Sequence, residues 1–159
     1  MASQNGHTES VTCLIEAKAS LDIQSKNGGT ALMLASVNGH TDTVTCLIKA
    51  KASLDIQSKD GWTALMLASQ KGHTETVTCL IEAKASLDIQ REGGWTAFML
   101  ASQNGHTDTV TCLIEAKAAL DIQKENWWTA LMLASQYGHT ETVTCLIEAK
   151  ASLDIARIR

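Results

Sequence analysis

Cysteine and histidine are the residues of this 159-residue sequence that could bind a metal, form disulfides or act in catalysis. Both recur every 33 residues, as Cys13, Cys46, Cys79, Cys112 and Cys145, and as His7, His40, His73, His106 and His139. Zinc ligands must converge on one point, and a disulfide needs Cα atoms within about 7 Å. Packed helices lie about 8–10 Å apart, so neighbours in one column are too distant for either. We expect no metal site, but buried thiols and imidazoles that bond to backbone at a turn.

Aspartates form a third column: Asp22, Asp55, Asp88, Asp121 and Asp154. Carboxylates one repeat apart are too widely spaced for strong mutual coupling of their pKa values. We therefore expect these side chains to bond to the backbone of the hairpins rather than to act as acid and base. Catalysis requires a nucleophile, a base and an orienting group in one pocket, and columns along an open surface do not provide that. The sequence favours a protein that is not an enzyme and has no cofactor.

Charge and hydropathy argue against two further classes of function. The net charge is -4, and lysines and arginines stand singly among acids, so no basic stripe is available for nucleic acid. The longest apolar runs, such as residues 64–68, are far too short to cross a membrane. The N-terminus lacks a charged-then-apolar targeting segment. We predict a cytoplasmic protein with reduced cysteines.

The 33-residue step predicts a repeating unit of two short helices and a turn. In residues 60–92, Thr63 is suited to cap a first helix and Gly72 to end it. A second helix should begin at Thr74, with that threonine as its cap. Isolated helices shorter than about 12–15 residues rarely persist in water, so the units must stabilise one another by stacking.

Three stretches of this unit carry a family resemblance: Asp60-Gly61-Trp62-Thr63-Ala64-Leu65-Met66-Leu67-Ala68, Gly72-His73-Thr74-Glu75 and Leu80-Ile81-Glu82-Ala83-Lys84-Ala85. They resemble the ankyrin repeat. The resemblance implies an all-α solenoid of stacked helix-turn-helix units with β-hairpin-like fingers. It covers residues 1–159 as one domain, with a partial repeat at 1–26 and full repeats at 27–59, 60–92, 93–125 and 126–158.

The chain departs from the family pattern at three places. Methionine replaces the family's histidine in the first helix, where we expect apolar packing, at Met33, Met66, Met99 and Met132. Lysine replaces the glycine that ends the second helix, at Lys18, Lys51, Lys84, Lys117 and Lys150. A lysine kept in the left-handed conformation costs roughly 1–2 kcal/mol. Trp127 replaces a turn glycine, so the last hairpin should be altered.

Differences between the repeats concentrate around the turn and at the end of the first helix. In ankyrin proteins these places line the groove and finger tips that contact partners, so the resemblance implies a module that binds a protein. The candidate binding residues are Trp62, Trp95, Trp128, Lys59, Asp60, Gln70, Lys71, Gln103, Asn104, Gln136 and Tyr137. Exposed tryptophans are enriched at binding hot spots, but each indole could instead lie flat against the adjacent hairpin. The alternative function is a designed or structural scaffold with no dedicated partner.

Neither end of the sequence resembles a polar cap. Met1 aligns with Leu34, and Arg157-Ile158-Arg159 stands where another turn would begin. Uncapped solenoid ends expose apolar helix faces, so we predict weak, concentration-dependent head-to-tail self-association. The alternative is that the chain is a fragment of a longer array.

Overall fold

A computed structural model describes residues 2–153 of the chain. Its α-helices are α1 (Thr8–Glu16), α2 (Ala31–Val37), α3 (Thr41–Lys49), α4 (Ala64–Lys71), α5 (Thr74–Glu82), α6 (Ala97–Gln103), α7 (Thr107–Glu115), α8 (Ala130–Gln136) and α9 (Thr140–Glu148). Short 3-10 helices span Ser3–Asn5, Glu92–Gly94 and Glu125–Trp127. No helix within residues 2–153 is long and apolar enough to cross a membrane.

The helices form two layers that run the length of the stack. The first-helix layer contains α2, α4, α6 and α8 side by side, and the second-helix layer contains α1, α3, α5, α7 and α9. Within each repeat the two helices also pack against each other, as α4 does on α5. Between residues 2 and 153 the only β-structure is a single antiparallel bridge, which joins Arg91 to Trp95. The predicted all-α ankyrin solenoid is confirmed.

The core lies between the two layers and repeats from unit to unit. From the first helices come Leu32, Leu65, Phe98 and Leu131, and from the second helices Leu47, Leu80, Leu113 and Leu146. Phe98 stands in a column of leucines and is nevertheless fully buried. Met33, Met66 and Met99 are also buried, as predicted, whereas Met132 in the last repeat is partly exposed. Because the helices are short, this continuous core is what holds them in place.

The first helix of each repeat begins and ends as the sequence predicts. In α4 the Thr63 hydroxyl accepts a hydrogen bond from Met66 N at 3.2 Å, which satisfies one of the free N–H groups of the first turn. The chain then leaves the helix at Gly72, whose φ of 70° suits a residue without Cβ. Equivalent caps are made by Thr30, Thr96 and Thr129.

The predicted cap of the second helix is wrong. Helix α5 begins at Thr74, but the residue before it is His73 and no side chain caps the helix. The Thr74 hydroxyl instead hydrogen-bonds to that of Thr109 in the next repeat at 2.8 Å. Thr109 is fully buried, and a buried hydroxyl needs a partner, so the threonine is used between repeats rather than within its own helix.

The second helix is followed by a lysine that keeps the left-handed conformation of the family's glycine. Lys84 has a φ of 71°, and Lys18, Lys51, Lys117 and Lys150 also have positive φ values. Lys84 N donates to Ile81 O at 2.9 Å, and Ala85 N donates to Leu80 O at 3.0 Å. These two bonds form a Schellman motif, which usually places glycine where Lys84 stands.

Candidate protein-binding surface

The histidine column joins each repeat to the one before it. His106 Nε2 lies 3.0 Å from the carbonyl oxygen of Gln70, and the imidazole packs on Gly72, where an added Cβ would lie 2.6 Å from Nδ1. His40, His73 and His139 make the same bond to Gln4, Val37 and Gln103. The predicted bonding of imidazole to turn backbone is therefore confirmed. These four rings are occupied in holding the stack together.

The aspartate column also bonds to backbone, although to that of the following repeat. Asp55 Oδ1 accepts from Ser86 N at 2.9 Å, just after the Schellman motif of the next unit. Asp22, Asp88 and Asp121 accept in the same way from Ser53, Ala119 and Ser152. Asp154 lies outside the described residues. The prediction that these carboxylates bond to backbone is confirmed, but the backbone they bond to follows the second helix and is not that of the hairpins.

The cysteines are less buried than predicted. Cys13 is exposed and the other four are partly exposed, because their column lies at the seam between neighbouring second helices rather than in the core. A threonine of the preceding repeat contacts each of the later thiols, as Thr45 Oγ1 does Cys79 Sγ at 3.7 Å. All five thiols are free. The prediction of buried thiols is wrong.

The polar columns do not form a metal-binding cluster in the part of the chain that the structure describes. Residues 2–153 contain no group of three or more histidines, cysteines and acids placed to hold one metal ion. An open cavity of about 300 Å³ has a polar lining of Gly72, Thr74, Gly105, His106, Thr107, Asp108 and Glu141. Its imidazole, that of His106, is already bonded to Gln70.

Four hairpin-like fingers project from the stack, and we number them one to four: residues 25–29, 58–62, 91–95 and 124–128. In finger two, Ser58 N donates to Trp62 O and Gly61 N donates to Ser58 O, both at 2.9 Å. Lys59 N donates to the carbonyl oxygen of Asn27 in finger one at 3.1 Å, and the later fingers pack closely in turn, with Gly61 against Arg91 and Gly94 against Lys124. The fingers thus form one continuous edge.

Finger four keeps the hydrogen bonds of the other fingers, contrary to the prediction that it would be altered. Trp127 N donates to Lys124 O, and Lys124 N donates to Trp128 O, both at 3.0 Å. The turn is preserved because Trp127 adopts a φ of 67°, close to the 78° of Gly94 at the same place in finger three. The side chain of Trp127 is 69% exposed.

Indoles and cations alternate along the fingers. Trp62, Trp95 and Trp128 are partly buried at the edge of the core. The guanidinium of Arg91 lies 4.4 Å from the centre of the Trp62 ring and 5.6 Å from that of Trp95. Lys124 Nζ lies 4.7 Å from the centre of the Trp95 ring. We call the run Trp62, Arg91, Trp95 and Lys124 the cation–indole ladder; each contact lies within the roughly 6 Å of an attractive cation–π interaction.

Sequence analysis missed the two cations of this ladder. Fingers one and two have Ser25 and Ser58 where fingers three and four have Arg91 and Lys124. That change from a short hydroxyl to a long cation beside a tryptophan was the available signal. The Ser58 hydroxyl accepts from Trp62 N at 3.1 Å, so the two pairs of fingers are built differently.

The remaining candidate residues lie at finger two and along the ends of the first helices. Lys59, Asp60, Lys71, Asn104, Gln136 and Tyr137 are exposed, and Gln70 and Gln103 are partly buried. Gln103 Nε2 donates to the Tyr137 hydroxyl at 3.2 Å, which brings together two candidates from successive repeats. The Tyr137 ring also stacks on His139, with 6.5 Å between ring centres.

A family model described as Ankyrin repeats (3 copies) matches residues 1–91 and again residues 75–157. No similar protein was found among curated proteins.

Proposed function

The chain belongs to the ankyrin-repeat family, whose members are generally protein–protein interaction modules, and we propose that it binds a protein partner through the first-helix groove and the fingers. The observation that carries this proposal is that the invariant and the variable polar residues of the repeats have different surroundings. The columns that barely vary, such as the histidines and aspartates, bond between repeats. The positions that vary, such as Lys71, Asn104 and Tyr137, are exposed at one end of the first helices.

Affinity capture from a proteome with matched variants tests this proposal. The finger variant combines Trp62→Gly, Trp95→Gly and Trp128→Gly, because glycine is what the chain itself has at this place in finger one, as Gly29. The control variant combines Glu82→Gln, Glu115→Gln and Glu148→Gln, all exposed in the second-helix layer. We expect a partner that the parent and the control retain and the finger variant loses. A partner that all three retain contradicts binding through the fingers.

A scaffold with no dedicated partner is the second candidate, and the cation–indole ladder favours it. Trp62 and Trp95 already contact Arg91 and Lys124, so these indoles stabilise the stack whether or not a partner binds. The scaffold predicts that capture yields no specific partner, while the finger variant unfolds at lower urea concentration than the parent. A specific partner for the parent chain would contradict it.

We also propose that the 159-residue chain associates weakly head to tail. Leu14, which corresponds to the buried Leu47, is 52% exposed, and Ile147 in the last helix is 47% exposed. These apolar side chains lie on the helical layers at opposite ends of the described stack. Met1 and Arg157–Arg159, on which the prediction from sequence also depended, lie outside the described residues. Sedimentation velocity should show a sedimentation coefficient that rises with concentration; one unchanging monomer would contradict the proposal.

We propose, further, that the protein works in a reducing, intracellular compartment. Five free, accessible thiols on one small domain would oxidise readily outside such a compartment. A cell-permeant alkylating reagent applied to intact cells should modify all five thiols. Recovery of the protein from the medium in oxidised form would contradict this location.

A further inference from the structure

Each finger packs its turn directly on the backbone of the next finger. A Cβ atom added to Gly61 would lie 2.9 Å from Arg91 Cα, and one added to Gly94 would lie 2.8 Å from Lys124 Cα. Unbonded carbon atoms prefer a separation of about 3.5–4.0 Å. This place in a finger therefore requires glycine whenever another finger follows in the same register.

Trp127 occupies that place in finger four. Its side chain stands where the backbone of a following finger would have to lie, so a fifth finger cannot pack there as the second, third and fourth do. The same clash excludes finger one of a second copy. Trp127 is also an aromatic residue with a φ of 67° and 69% exposure, so it bears backbone strain and gains little burial in return. Strain of this kind is commonly retained at sites of function.

Within the described residues the ladder ends at Lys124 in finger four. Trp62 and Trp95 each have a cation from the following finger over the ring, and Trp128 is the next indole in the series. Within residues 2–153 no cation lies over Trp128. Beside it stand the exposed Trp127 and, in the same turn, the exposed carboxylate of Glu125.

We propose that Trp127 and Trp128 form a docking site for an arginine side chain in a basic segment of a protein partner. The proposal rests on the proposed function and adds the chemistry of the partner. Arg91 over Trp62 provides the template, because it shows that a finger indole of this chain accepts a guanidinium at 4.4 Å. A planar guanidinium stacks on an aromatic face better than an ammonium does. Glu125 and the net charge of -4 attract a cationic segment.

A second copy of the chain does not fit the same site. Finger one has Ser25 at the place where fingers three and four have Arg91 and Lys124, so it would bring a hydroxyl rather than a cation to Trp128. Head-to-tail association must therefore use the helical layers alone. The docking site therefore binds a different protein and not a second copy of this chain.

Nitrogen-15 NMR of the four indole N–H groups tests the site directly. The probe is a glycine–serine peptide with several arginines, compared with peptides in which lysine or glutamate replaces arginine. We expect the arginine peptide to shift the signals of Trp127 and Trp128 and to leave those of Trp62 and Trp95 in place. The lysine peptide should bind more weakly at equal charge, and the glutamate peptide should not bind. Equal shifts of all four signals would overturn the proposal.

Three glycine variants provide matched controls, because the chain itself has glycine at both positions in other fingers. Trp127→Gly introduces the glycine that finger three has at this place, Gly94. Trp128→Gly and Trp95→Gly introduce the glycine that finger one has at the equivalent place, Gly29. The first two should each weaken binding of the arginine peptide about threefold to thirtyfold, the range expected for one cation over an indole. Trp95→Gly should weaken binding of this peptide less than either, because Arg91 and Lys124 already contact the Trp95 ring. Equal losses in all three variants, or a loss in none, would overturn the site, and circular dichroism confirms that each variant is folded.

Two further outcomes separate this site from its alternatives. Arg157 follows Lys124 by 33 positions in the sequence and lies outside the described residues. If Arg157→Ala shifts the Trp128 signal in the absence of peptide, the chain's own segment is the occupant and the proposal is overturned. A captured partner whose binding survives both Trp127→Gly and Trp128→Gly overturns the docking site alone, whereas capture of no partner contradicts the proposed function.

Discussion

Three serine hydroxyl groups in the first helices are buried with no hydrogen-bond partner in the described structure: those of Ser36, Ser69 and Ser102. All three side chains are 0% exposed. A buried hydroxyl left unpaired costs about 1–3 kcal/mol, and alanine also has the higher helix propensity, by up to about 0.7 kcal/mol. Ser69→Ala removes the oxygen atom and nothing else. We expect it to raise the free energy of unfolding by about 1–3 kcal/mol.

The fourth member of the column is a matched control. Ser135 is exposed, and its hydroxyl donates to Leu131 O at 2.8 Å, so it has no unpaired group to remove. Ser135→Ala should change stability by less than about 0.5 kcal/mol, as exposed substitutions usually do. Ser36 and Ser102 lie two repeats apart, so the changes in the free energy of unfolding caused by Ser36→Ala and Ser102→Ala should add in a double variant.

Urea denaturation followed by circular dichroism measures these changes, with thermal unfolding as the second assay. For a domain of this size, 1 kcal/mol corresponds to roughly 2–4 °C in the melting temperature. If Ser69→Ala lowers the urea midpoint, the hydroxyl makes a bond in solution, for example to the carbonyl four residues earlier as Ser135 does. That result would refute the reasoning from buried, unpaired oxygen.

Two pairs of substitutions should have different effects on stability: those at the neighbours Trp127 and Trp128, and those at the equivalent glycines Gly72 and Gly138. Trp127→Gly should stabilise the protein by about 1 kcal/mol, because it relieves a left-handed conformation at an exposed side chain. Trp128→Gly should instead destabilise the protein, because it removes a partly buried indole. Unfolding midpoints that move in the same direction in the two variants would contradict this prediction. Gly72→Ala should cost more than Gly138→Ala, although both have φ values near 70°, because the new Cβ would meet His106 at 2.6 Å in the first and nothing within 4 Å in the second. Equal losses of melting temperature would show that backbone strain alone is responsible.

Much of the fold could be predicted because the same short pattern is written out several times. Thr63 and Gly72 mark the ends of α4 by local chemistry, a side-chain cap and a left-handed exit, and both were predicted correctly. The left-handed lysine at Lys84 was also predictable, since it replaces a glycine of the family pattern. Such features depend on residues close in the sequence and do not require the stack to be known.

Two of the errors concern side chains at the seam between repeats. Thr74 has the right type and position for a cap, yet its hydroxyl bonds to Thr109 in the next unit. Cys79 was expected in the core but is partly exposed beside Thr45 of the preceding unit. The helical periodicity of the residues identifies which of them share a face of the helix. It does not determine how far the neighbouring helix is shifted along the helix axis.

The candidate binding surface also has features that the sequence predicted and features that only the tertiary structure showed. The variable positions of the repeats were visible in the residues themselves, because comparison of one unit with the next separates columns that vary from columns that do not. The cation–indole ladder was not visible, since Arg91 contacts Trp62 from another finger through a long, flexible side chain. Nor was the meaning of Trp127, which depends on the approach of successive finger backbones to within 3 Å of a glycine Cβ position. Local bonding and periodicity can be read along the chain, whereas contacts between repeats depend on the spacing and offset at which the units pack.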